Sequence, residues 1–217
     1  MGGVSYGKIS EPWWDERPVA IVAGGPSLRG FDFERLRGAH VLAIKGSIFD
    51  IPWADAGFGL DMPRFEDWRD KLAAVPMRVY WACPEDYKKQ IAPPENVTLI
   101  RRLPGEGVST DPRRIFTGGT SGFGALQIAL LKRAKRIVLF GYDYNGDYHP
   151  SRDFRHNDRH YERRRTQNRK NWEAWAKYFD LFKPCLQDVE IINTQPSAIT
   201  TFQKLSIDDA IDHLHRF

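Results

Sequence analysis

FTGGTSGFGALQIALLKRAKRIVLFGYDY, residues 116–144, lays out in one stretch a glycine-rich turn, a helix, a second tight turn and a buried strand that delivers a carboxylate. Gly118 and Gly119 free the backbone to turn, and Thr120 or Ser121 can cap a helix running through Phe123, Leu126, Leu130 and Leu131. The first turn of that helix, with Ser121 and Gly122, offers unpaired N–H groups and a positive dipole end beside two hydroxyls, which makes an anion site. Residues 137–140 are all apolar, with the length of a parallel strand covered on both faces. Gly141 ends the strand, and Asp143 and Tyr144 follow.

Outward from this stretch, strand and helix alternate. Residues 19–23, VAIVA, predict a first buried strand, followed at once by Gly24, Gly25, Pro26 and Ser27. Two glycines permit a sharp turn, the proline fixes φ, and Ser27 presents a hydroxyl and an N–H, in the manner of a phosphate-binding turn. It is neither GxGxxG nor GxxxxGK[ST], so neither a dinucleotide fingerprint nor a P-loop is present. Further strands are predicted at 41–44, ending at Lys45, at 58–60, ending at Asp61, and at 78–82, 97–100 and 189–192, the last ending at Asn193. Helices are predicted at 33–37, 65–74, 86–90, 161–182 and 207–214, with Trp172, Trp175, Ala176 and Phe179 on the core face of the long one. The pattern predicts an α/β, Rossmann-like fold, with a mainly parallel sheet covered by helices on both faces. Residues 1–18 form an N-terminal arm that docks through Trp13 and Trp14, and 19–217 form a single domain.

The chain has 217 residues, 41% of them hydrophobic, enough for one sizeable core. No apolar run approaches the roughly 20 residues of a membrane span, and residues 1–18 lack the apolar core of a signal peptide, so a cytoplasmic protein is expected. Cys83 and Cys185 have no metal or disulfide spacing. Residues 148–171 hold eight Arg or Lys against three acids, a local +5, which leaves the rest of the chain at −1 of the total +4. This segment carries almost no aliphatic side chain. It is read as a polar lid, about residues 146–160, in which Arg152, Arg155 and Arg159 can meet a phosphate.

Ligands of open parallel sheets lie outside the carboxyl ends of the strands, where strand order reverses. By that rule Gly24, Gly25, Ser27, Lys45, Ser47, Asp61, Asp143 and Asn193 should share one edge, with Ser121 facing it. A lysine, two carboxylates and two anion-friendly turns suit a nucleotide with phosphates. His149, His156 and His160 all fall in the lid segment, where imidazole suits a general base at neutral pH.

VAIVAGGPSL (19–28), LAIKGS (42–47) and TSGFGALQIALLKRAKRIVLFGYDY (120–144) together resemble the superfamily that joins bacterial single-domain sialyltransferases, motility-associated glycosyltransferases and archaeal hydroxymethylpterin pyrophosphokinases; short phage-encoded members are the most similar. The resemblance implies that Gly24, Gly25, Pro26, Ser27, Thr120, Ser121 and Gly122 hold a nucleotide, that Asp143 and Tyr144 line the cleft, and that a lid histidine, His160 before His156, is the base. Gly24 and Lys45 stand where the sialyltransferases have Asn, and Lys45 suits an extra phosphate. The expected activity is a transferase, a glycosyltransferase with a nucleotide-sugar donor. The alternatives are a Mg-ATP pyrophosphokinase, with magnesium on Asp61 and Asp143, and a nucleic-acid module using the arginine-rich segment. The substrate is a small-molecule nucleotide, and the sequence leaves open a homo-oligomer.

Overall fold

Every side chain of β1 (Val19–Val22) is buried, as expected of a strand covered on both faces. The computed structural model describes residues 4–15, 17–87, 89, 92–144 and 171–216. Beside β1 lie β2 (His40–Ile44) and β7 (Arg136–Phe140), in register Val22↔Ala43 and Val22↔Phe140. The remaining strands are β3 (Ala56–Leu60), β4 (Arg78–Pro84), β5 (Val97–Arg102), β6 (Arg114–Ile115), β8 (Glu190–Thr194) and β9 (Gln203–Leu205). All described pairings are parallel, in the order β6-β5-β4-β3-β2-β1-β7-β8-β9. The chain therefore walks outward from β1 to β6, crosses back, and continues from β7 to β9. Strand order reverses between β1 and β7, and in sheets of this kind a ligand crevice is expected at the carboxyl ends of such a pair.

Alternate side chains of each strand enter two cores. Ile21, Leu42, Phe58 and Leu139 meet α3 (Ser121–Leu131) and α4 (Trp172–Tyr178) on one face. Ala20, Val41, Ala43 and Val138 meet α1 (Ser47–Asp50), α2 (Met62–Ala73) and α5 (Ile207–His215) on the other. The fold is α/β and Rossmann-like, as the alternation predicts. Among the described residues no helix is long and apolar enough to cross a membrane.

Three departures have local causes. β6 and β9 are two and three residues long, too short for a period to register, and exist by pairing with β5 and β8. The helix expected at 86–90 does not form in its described part; Glu85 and Asp86 make a turn, and Tyr87 and Lys89 both reach back to Glu66 of α2. After Tyr178 the long helix tightens into a 3-10 helix, Phe179–Gln187, around Pro184, which has no N–H to donate. Its predicted first residues lie outside the described residues, as does the lid.

The N-terminal arm is tied to the body through Trp14, fully buried, whose backbone N–H donates to Lys132 O at 2.7 Å and whose ring stacks on His40 at 5.5 Å. Lys132 is itself buried, its ammonium donating to Ser10 O at 2.7 Å and lying 4.8 Å from the Trp14 ring. Burial lowers its pKa from 10.5 to about 8. Between these values the unfolded chain holds the proton that the folded chain has released, so this group makes stability rise with pH. Lys132→Met should remove that rise. Chemical denaturation at pH 8 and pH 10 should give a wild-type change more favourable than the variant's by about 1 kcal/mol, discounted for partial solvent screening.

Candidate functional site

Two consecutive residues after β7 hold both glycine-rich turns. The carboxylate of Asp143 accepts from Ser27 N at 2.8 Å and from Ser27 Oγ at 2.5 Å. The next residue, Tyr144, has its hydroxyl 2.8 Å from Thr120 Oγ1 at the start of α3. The turn after β1 and the N-terminus of α3 are thus drawn to the same crevice from opposite sides. Gly25 is required for this approach, because a Cβ there would lie 2.3 Å from Gly141 O and 2.7 Å from Asp143 Cγ. Pro26–Leu28 then form a short 3-10 turn.

Asp143 is only 2% exposed. Burial pushes its pKa up, and the two bonds from Ser27 pull it back. The segment is backed from behind: Ala198 N donates to Asp143 O, Asn193 Nδ2 donates to Ser197 Oγ, and that hydroxyl donates to Tyr142 O at 2.6 Å. Ser27 and Asp143, expected to present donors and a carboxylate to a ligand, therefore satisfy each other. Asn193 is fully buried and braces the crevice from below.

At the start of α3, Gly118 and Gly119 turn with φ +49° and +76°. Thr120 caps the helix by accepting from Phe123 N at 3.2 Å, as its position predicts. The amides of Ser121 and Gly122 fall among those an α-helix leaves without intrahelical partners. Ser121 Oγ is enclosed and has no hydrogen-bond partner among the described residues. A buried polar group left so costs about 1–3 kcal/mol. Two residues beside this turn, one of them assigned only to the core face of the long helix, were given no place at the site by the sequence. Gln127, fully buried on α3, accepts from Ser109 N and Phe116 N and donates to Phe116 O. Trp175 is half-buried, unlike Trp172, Ala176 and Phe179 on the same face, and its Nε1 lies 2.9 Å from where a Gly119 Cβ would stand. A glutamine inside an apolar helix was the available signal for the first; nothing distinguished Trp175 from its core neighbours.

The remaining strand ends carry Gly24, exposed, with open space where a Cβ would be, and Lys45 and Asp61, which pair at 2.7 Å. Lys45, Asp61 and Tyr144 have φ of +51°, +83° and +49°; with Arg133 they are the four non-glycine residues of positive φ among the described residues. Three of the four thus lie at one sheet edge. Asp61 and Asp143 do not come together: β3 and β7 are separated by three strand spacings, roughly 14 Å, and each carboxylate has its own partner. The magnesium pair expected of them is corrected accordingly. Among the described residues no three His, Cys, Asp or Glu side chains gather into a metal set.

His149, His156, His160, Arg152, Arg155 and Arg159 lie outside the described residues. A shallow depression lined by Arg17, Lys135, Arg136, Asp188 and Glu190 sits at the opposite, amino-terminal edge of the sheet. Comparison with protein-family models, with curated proteins and with solved structures finds no match.

If Asp143 clamps the turn, Asp143→Ala should lower stability by about 1–3 kcal/mol, because the Ser27 amide and hydroxyl both lose their acceptor. Combined with Ser27→Ala the losses should not add. Urea unfolding of both single variants and the double variant checks this; an Ala variant as stable as wild type, or losses that add, would contradict the clamp.

Proposed function

We propose that the protein is a group-transfer enzyme that binds an activated nucleotide with its phosphates in the crevice between β1 and β7, and that the reaction is glycosyl transfer from a nucleotide sugar. The observation that carries this reading is the enclosed hydroxyl of Ser121 at the positive end of α3, without a hydrogen-bond partner among the described residues and joined through Tyr144 and Asp143 to the turn at Gly24. A phosphate there would receive the Ser121 hydroxyl and the first-turn amides, and the helix dipole would stabilise charge on the departing phosphate. Gly24 leaves room for the ligand beside the backbone of the β1 turn. The resemblance of the motifs to nucleotide-sugar transferases supports the same assignment, with His160, or His156 after it, as the base that deprotonates an acceptor hydroxyl. Pyrophosphoryl transfer is the weaker reading, since Asp61 and Asp143 offer no shared magnesium cradle.

Two variants test the site with opposite signatures. Ser121→Ala removes an unsatisfied buried hydroxyl, so the ligand-free protein should be as stable as wild type or more so, while nucleotide affinity should fall about tenfold. Thermal melting with and without nucleotides and nucleotide sugars measures both quantities, since a ligand of the folded state raises Tm. Unchanged affinity would remove Ser121 from the site.

Gly24 and Gly25 should separate in the same assay. Gly24→Val enters open space and should weaken nucleotide binding with little change in the ligand-free Tm. Gly25→Val meets Gly141 O and Asp143 and should lower the ligand-free Tm itself. A Gly24→Val protein with full affinity would place the ligand elsewhere.

A further inference from the structure

Asp61 stands at the N-cap of α2, a position where an aspartate ordinarily accepts from the helix's own first-turn amides. Here it makes no such bond. Its backbone has φ +83° and ψ 93°, and its carboxylate is turned to Lys45 Nζ at 2.7 Å. Lys45, in turn, has φ +51°, a conformation that a long side chain adopts only under constraint. Two adjacent strand ends thus hold strained backbone, and the helix forgoes a cap, for an ion pair whose side chains remain 33% and 50% exposed. An exposed pair of this kind contributes little to stability. The arrangement is better suited to storing a cation than to holding the fold.

The stored cation is next to the crevice. Gly24 and Lys45 follow the ends of two neighbouring strands, β1 and β2, whose last paired residues are Val22 and Ala43. Ser47 Oγ, 3.5 Å from Ala23 O, ties the same two strand ends together. From this place the flexible lysine stem can swing from Asp61 into the open space over Gly24. We infer that Lys45 and Asp61 form a selector for the second phosphate of a nucleoside diphosphate group. In the free protein Asp61 holds the ammonium aside. A second phosphate, carrying more charge than a carboxylate and hydrogen-bonding the ammonium directly, draws Lys45 away. A nucleoside monophosphate, bound by α3 alone, leaves the pair intact. This inference rests on the nucleotide reading above and adds the class of donor, a nucleoside diphosphate derivative.

Isothermal titration of the wild type, Lys45→Met, Lys45→Arg and Asp61→Asn with the mono- and diphosphates of uridine, cytidine, adenosine and guanosine tests it. Asn tolerates positive φ, so Asp61→Asn keeps the backbone. Lys45→Met should lower diphosphate affinity about tenfold and leave monophosphate affinity within about twofold. Lys45→Arg should restore the preference, and Asp61→Asn should raise diphosphate affinity by freeing the lysine. Equal losses for mono- and diphosphate in Lys45→Met, or weaker diphosphate binding by Asp61→Asn, would overturn the selector while leaving the nucleotide site in place. Failure of the wild type to bind any of the eight would overturn the nucleotide reading, and the selector with it.

Discussion

The two hydrogen bonds from Ser27 to Asp143 are the constraint on which the rest of the crevice depends. They join the turns after β1 and β7, the pair of strands between which the sheet changes direction, over 116 residues of sequence separation. Because Asp143 is held, Tyr144 is held, and its hydroxyl fixes the cap of α3. A carboxylate is suited to this work because it accepts from an amide and a hydroxyl at once, and burial strengthens both bonds while penalising any loss of a partner. Gly25 supplies the other condition, the absence of a Cβ where Gly141 O approaches.

The same edge carries features that do not favour stability. Lys45, Asp61 and Tyr144 sit in left-handed backbone, each at roughly 1–2 kcal/mol, and the Ser121 hydroxyl is enclosed without a partner among the described residues. At the amino-terminal edge the Trp14 ring stacks on His40, whose Nδ1 lies 2.9 Å from Asp55 Oδ1, and Asp55 also accepts from Val41 N. Strain is not confined to the carboxyl edge, however: Arg133, of φ +68°, precedes β7, and Trp14 Nε1 is enclosed without a partner among the described residues.

Much of the fold could be read from the sequence because its strands are buried on both faces. Val19–Val22 and Ile137–Phe140 are apolar at every position, which only a covered parallel strand requires. The alternation also predicted that Ser27, Lys45, Asp61 and Asp143 share one edge of the sheet, as they do. What could not be read was pairing among them. Ser27 and Asp143 both looked available because a sequence does not reveal that a donor and an acceptor 116 positions apart consume each other. Asp61 and Asp143 looked like a metal pair because strand order, not sequence order, sets their separation. Gln127 acts through the loop at Ser109 and Phe116, a contact made by tertiary folding alone.

The most direct test of the account is amide mapping by NMR, with the isotopically labelled full chain titrated with a nucleoside diphosphate. The largest shifts should fall on Gly24, Gly25, Ser121 and Gly122, while the Ser27 amide, already bonded to Asp143, changes little. Shifts that spare both turns, or that gather at Arg17, Lys135 and Asp188 on the opposite edge, would contradict it.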